Sequence, residues 1–251
     1  MDIGGFGQQG NCTNASQSLD KKYTPDLIVQ CLSPERLTKY FQRVGVGNNE
    51  GALSLYCWNH EVGASFNMLL QQFEICLRNS ISSAIRDKFG TDWFRTPKFT
   101  GYNGEIQRAV RKAFEKAQEG RNGLIPSEPD FIASTSLGLW REVCKPEYGA
   151  LFWAKRLHLA FPFAPSTKDV RESLKTINDR VQRLTKLRNR IAHHEHLLGS
   201  HKEKLGEMLL KRHEDMCLLL SWMNPDFLSW LKERDTFHDF IKNCPIPGPK
   251  S

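Results

Sequence analysis

The stretch RLTKLRNRIAHHEHLL, residues 183–198, sets arginines and three histidines into what otherwise reads as a packed helix. Three of its residues suit phosphate chemistry. The Arg188 guanidinium offers a rigid donor fork for phosphate oxygens, and the His193 imidazole can take or give a proton near neutral pH. Asn189 can orient either the phosphate or the imidazole. That set suits cleavage of RNA by its own 2′-hydroxyl, which needs a base, an acid and a cation beside the phosphorane, but no metal. Two other uses of the histidines stay open. Zinc is one, although HHEHL lacks the His-Glu-x-x-His spacing because residue 198 is leucine, and no cysteine pair assists. His193, His196 and His201 could together form one such site. The other is ordinary packing or solvent exposure.

The helix that must position these groups is amphipathic. Val170, Leu174, Ile177, Val181 and Leu184 recur in steps of four and three, the seam of a helix facing a partner. The same stepping continues to Arg188, Ile191, Glu195 and Leu198. A leucine buried in such a seam stabilises a fold by about 1.5–3 kcal/mol. A buried, unpaired arginine forgoes that and costs several kcal/mol more. The break marks either a functional residue or a structural ion pair of Arg188 with Glu195 or Glu74. Arg188 and His193 lie about 140° apart around an ideal helix. They converge only if the arginine reaches round, the helix distorts, or a second copy of the helix supplies one of the two.

The remaining elements read as helices almost throughout, which predicts an all-α protein with a single helical-bundle domain. LSPERLTKYFQRVG predicts a helix starting at Ser33 and Pro34 and stopping at Gly45. Residues 51–90 predict a long helix with Trp58, Val62, Phe66, Leu69, Phe73, Leu77, Ile81 and Ile85 on its apolar face. TPKFTGYNG reads as a loop, EIQRAVRKAFEKAQEG as a short basic helix, and RNGLIPSEPD as a second loop. SEPDFIASTSLGLWREVC and PEYGALFWAKRLHLAF predict two aromatic-rich helices broken at Lys145-Pro146. After the motif helix, HKEKLGEMLLKRHEDMCLLLSWM and NPDFLSWLKERD complete the bundle. The predicted boundaries are a mobile tail over 1–22, the domain over 23–232 and a partly mobile C-terminal extension over 233–251.

Composition narrows the class. The hydrophobic share of 39% and charged share of 25% are those of a globular protein, and no apolar run reaches the roughly 20 residues that span a bilayer. Residues 1–22 lack the basic start and apolar core of a signal peptide, so the expected location is the cytoplasm, and the sequons at Asn11 and Asn14 read as chance. Seven cysteines without a C-x-x-C pair predict reduced thiols rather than a disulfide frame. A net charge of +7 favours a polyanionic partner.

The string Arg188-Asn189-Arg190-Ile191-Ala192-His193 resembles the signature of HEPN-type ribonucleases, an arginine and a polar residue with a histidine four positions further on. The longer LRNRIAHHE resembles the C-terminal signature of their Abi-like (abortive infection) branch, and TPDLIVQCLSPERL, LLQQFEICLRNSI and SLGLW are similar to other strings of that branch. The resemblance covers roughly residues 23–232. It implies an all-α HEPN-type domain, usually a homodimer whose motifs meet across the interface. It also implies a metal-independent endoribonuclease acting as a toxin or in phage defence, with RNA as substrate, no cofactor, and an antitoxin or regulatory partner possible. Carried over, Arg188 would hold the scissile phosphate, Asn189 would orient it and His193 would be the acid or base, with His194 and Glu195 extending the match. Glu74, Arg78 and Asn79 would brace the site, whereas the residues alone also allow a Glu74–Arg78 surface pair. Some members of the family bind nucleic acid or a partner without cutting. Relatives commonly carry proline where this chain has His196, so the helix is expected to run on past the motif.

Two further groups have a functional and a plain reading. Arg108, Arg111, Lys112 and Lys116 could grip RNA phosphates or form a solvated helix face. Trp140, Phe152, Trp153 and Phe161 could stack bases, but their helical spacing predicts core.

Overall fold

Local punctuation sets the first helices. In a computed structural model of the chain the described residues are 23–246 without 102 and 201–203. The predicted tail over 1–22, Cys12, both sequons, His201 and residues 247–251 lie outside them. The chain divides at Leu53–Ser54 into two compact units. In the first, α1 (Pro25–Leu32) and α2 (Pro34–Val44) each place proline in the first turn, where its missing N–H costs nothing. Ser33 separates them, and its hydroxyl accepts from the Arg36 N–H at 3.3 Å. Gly45 ends α2 as expected.

α3 (Asn49–Phe89) begins in the first unit and supplies the longest helix of the second. All eight apolar positions predicted for its inner face are buried, and Gly90, with φ of +83°, terminates it. A 3₁₀ turn (Trp93–Arg95) follows, and α4 (Pro97–Thr100) forms within the loop expected over 96–104. α5 (Gly104–Glu119) is the predicted basic helix, capped by the Asn103 side chain accepting from the Ile106 N–H at 2.8 Å.

The two predicted aromatic helices are each divided. The first is α6 (Glu128–Ser134) and α7 (Leu137–Val143). The Thr135 hydroxyl donates to the Ile132 carbonyl at 2.7 Å and accepts from Trp140 Nε1 at 3.0 Å, so the chain turns where a continuous helix was expected. The second is a 3₁₀ turn (Pro146–Tyr148), a π-helical turn (Gly149–Trp153) and α8 (Leu157–Ala160). Trp93 packs edge-on to Phe99 and Phe131, with ring centres 5.0 and 5.3 Å away. Trp140, Phe152, Trp153 and Phe161 are buried, so they serve the core rather than base stacking.

α9 (Val170–Ala192) carries the motif and packs against α7, the 146–153 turns and α10 (Glu207–Met223). α11 (Pro225–Lys232) and α12 (Phe237–Lys242) follow. Among the described residues the protein is all-helical, with no strand and no helix long and apolar enough to cross a membrane. The six described cysteines are free thiols.

Candidate functional site

α9 starts where the Asp169 carboxylate accepts from the Arg171 N–H at 2.8 Å. Its inner stripe is Leu174, Ile177, Val181, Leu184 and then Leu187, all buried. Two corrections follow. Leu187, not Arg188, continues the seam, and Arg188 is exposed, so no burial penalty attaches to its charge. Nor is it the structural ion-pair partner of Glu195 or Glu74. Among the described residues Arg188 makes no ion pair, and Glu195 instead meets Arg190 at 3.4 Å.

The helix also stops at the motif rather than running on. His193 is the C-cap and His194 takes a left-handed conformation, φ +55°. The Glu195 N–H donates to the Arg190 carbonyl at 2.9 Å and the His194 N–H to the Ile191 carbonyl at 3.1 Å. These two bonds form a Schellman motif that satisfies the last carbonyls of the helix. The Arg190–Glu195 ion pair spans the same turn and stands where such motifs usually carry an apolar contact. The motif needs no proline, which is why His196 does not prolong the helix.

Beyond the turn the chain is tied back to α3. Asn59 is buried, and its side-chain oxygen accepts from the Leu197 N–H at 2.6 Å. Gly63 lies against the Leu197 side chain, where an added Cβ would stand 3.2 Å from Leu197 Cδ1. A cleft of about 390 Å³ opens between α3 and the end of α9. Glu74 lines it from α3, and Arg188, His194 and Glu195 line it from the motif. The His60 ring lies 6.5 Å from that of His194 and 4.4 Å from that of Tyr56.

The structure thus brings Arg188, His194, Glu195 and Glu74 to one cleft. Asn189 and His193 are exposed and do not line it, and neither do Arg78 and Asn79. Arg78 and Glu74 form no ion pair among the described residues, and Arg78 Nε is buried without a hydrogen-bond partner there. Arg108, Arg111, Lys112 and Lys116 are exposed on α5, outside the cleft lining. Arg108 pairs with Glu105 at 3.1 Å and Arg111 meets Glu115 at 3.9 Å, as on a solvated helix face. Arg183, from the opening stretch, belongs to the scaffold. Its guanidinium donates twice to Asp215, at 2.8 and 2.7 Å, and Arg212 donates to the same carboxylate at 3.0 Å. Burial raises the Asp215 carboxyl, but these two guanidiniums more than offset that and hold it below its ordinary range.

Sequence reasoning missed Asn59, His60 and Asn67, all of which line the cleft. A lone histidine and two asparagines on a long helix carry no spacing signal. Chemically, the cleft offers a guanidinium free of intramolecular ion pairs among the described residues, with two imidazoles and two carboxylates around it. Comparison of the chain with family models, with curated proteins and with solved structures gives no significant match.

Proposed function

We propose that the chain is a metal-independent endoribonuclease of the Abi-like HEPN type, working as a homodimer and serving as a toxin or phage-defence effector in the cytoplasm. The observation that carries this reading is the exposed Arg188 beside His194 in one cleft, with His193 next in sequence but outside it. Transesterification at phosphorus needs two proton-transfer groups. Arg188 grips the non-bridging phosphate oxygens, and His194 serves the cleft of its own chain. His193, on the exposed side of the turn, serves the cleft of the second copy. One imidazole takes the proton of the 2′-hydroxyl as its oxygen attacks phosphorus. The other gives a proton to the departing 5′-oxygen, leaving a 2′,3′-cyclic phosphate. Each proton-transfer group is worth about 10²–10⁴ in rate, and loss of an electrostatic donor such as Arg188 costs about 10²–10³. The net charge of +7 favours a polyanionic substrate.

Single alanine variants at Arg188, His193 and His194 test the reading with a labelled single-stranded RNA. Each should lose at least about 100-fold in cleavage while remaining folded. If RNA binds but no variant changes a cleavage rate above background, the chain is a non-catalytic RNA-binding module. If His60→Ala abolishes cleavage and His193→Ala does not, the His60 and His194 imidazoles of one chain do the chemistry and the shared site is wrong.

A further inference from the structure

Apart from the motif, three potential metal ligands converge where α10 meets the turn into α12. His213, Asp235 and His238 each offer a ligand atom, and these atoms lie within 4.8 Å of one another. His213 is buried, Asp235 half-buried and His238 exposed, so the group has solvent access on one side. His213 Nε2 and Asp235 Oδ2 are 2.5 Å apart, within hydrogen-bond distance. The other Asp235 oxygen accepts from the Phe237 N–H at 2.9 Å, which fixes the carboxylate at the start of α12. The Phe237 ring lies flat on the His213 ring at 4.9 Å, and Phe66 of α3 meets Phe237 edge-on at 5.0 Å. Both ligands nearest the core are therefore held before any ion arrives. Cys217, one turn along α10, has its sulfur 3.9 Å from His213 Nε2.

We propose that His213, Asp235 and His238 bind a zinc ion that clamps α12 onto α10. Two imidazoles and a carboxylate are zinc ligands, with bonds of about 2.0–2.2 Å. Tetrahedral bonds of that length set ligand atoms about 3.4 Å apart. The His213–Asp235 contact opens by about 1 Å as the ion takes the place of their hydrogen bond, and the exposed His238 closes in by a rotamer change. In sequence the set is His213 on α10 and Asp-x-x-His, residues 235–238, at the turn. None of the three residues lines the Arg188 cleft, so the ion takes no part in the proposed RNA chemistry.

The test uses the full-length chain, stripped of metal with a chelator, dialysed, and titrated with zinc chloride against a chromophoric indicator. The expected result is one ion per chain at micromolar zinc or tighter, with a rise in Tm. His238→Ala alters an exposed side chain and should weaken binding by about 100-fold or more, since losing a group that merely supports a ligand already costs roughly 10–100-fold. His193→Ala and His196→Ala should bind as wild type. Asp235→Asn, checked for fold by circular dichroism, should weaken binding as His238→Ala does. No uptake at micromolar zinc would overturn the proposal, leaving His213 and Asp235 a simple ion pair. So would wild-type affinity in His238→Ala, or loss of binding on changing His196 instead.

Discussion

His194 separates the needs of the fold from those of the chemistry. It holds φ at +55° as the left-handed residue of the Schellman turn, a conformation that costs a residue with a Cβ about 1–2 kcal/mol. Glycine removes that cost, but its freer unfolded chain returns roughly 0.5–1 kcal/mol. The two backbone hydrogen bonds of the turn do not involve the side chain. His194→Gly should therefore leave the protein equally stable or up to about 1.5 kcal/mol more stable, a Tm change of roughly 0 to +6 °C for a chain of this size. The same change removes the imidazole from the cleft and should slow RNA cleavage by about 10²–10⁴. The assay is a thermal melt paired with initial rates on labelled RNA. A Tm lowered by several degrees would mean that the side chain holds the turn. A cleavage rate near wild type would remove His194 from the chemistry.

Three more outcomes follow from the same geometry. Arg188→Ala should shift stability by no more than about 0.5 kcal/mol and lose cleavage, whereas Leu187→Ala, at a buried seam position, should cost about 2–5 kcal/mol; thermal melts of the two compare directly. Co-expressed Arg188→Ala and His193→Ala chains, purified as the mixed dimer, should recover about half the activity of a two-site dimer, and a mixed dimer as inactive as either parent would exclude the simple exchange of groups. The depressed Asp215 carboxyl gives stability that is present above the unfolded value of about 3.9 and is lost as pH falls through its lower folded value. Asp215→Asn should destabilise by about 1–3 kcal/mol at pH 7, as the pair is only partly buried, and should flatten the acid limb of stability against pH.

What the sequence made legible was what neighbouring residues decide. Ser33-Pro34 and Gly45 bound α2, and the period of α3 names its buried face, because caps and one-sided burial act within a turn or two. The stripe of α9 was legible only to Leu184. A step of four leads to Arg188 and a step of three to Leu187, and only the packing of α9 on its neighbours decides for Leu187. The division of the aromatic segments was hidden for a similar reason. Phe131 and Trp140 both pack on Trp93 from separate elements, and Thr135 turns the chain to bring them there. The motif arginine and histidines could be read directly, but their partner Asn59 lies 138 residues from the Leu197 N–H it holds. The end of α9 was misread because histidine, rather than glycine, occupies the left-handed position.

The central claim is that RNA is cut by its own 2′-hydroxyl with Arg188 and the motif histidines in attendance. The most direct measurement compares a single-stranded RNA with the same strand carrying one 2′-deoxy nucleotide at the mapped cleavage position. It is run in chelator, well below the melting temperature, with circular dichroism confirming that the protein stays folded. The RNA should be cut to 2′,3′-cyclic phosphate or 3′-phosphate ends, and the substituted strand should survive at that position. Cleavage of the 2′-deoxy position, or cleavage only after magnesium or zinc is added, would contradict the mechanism.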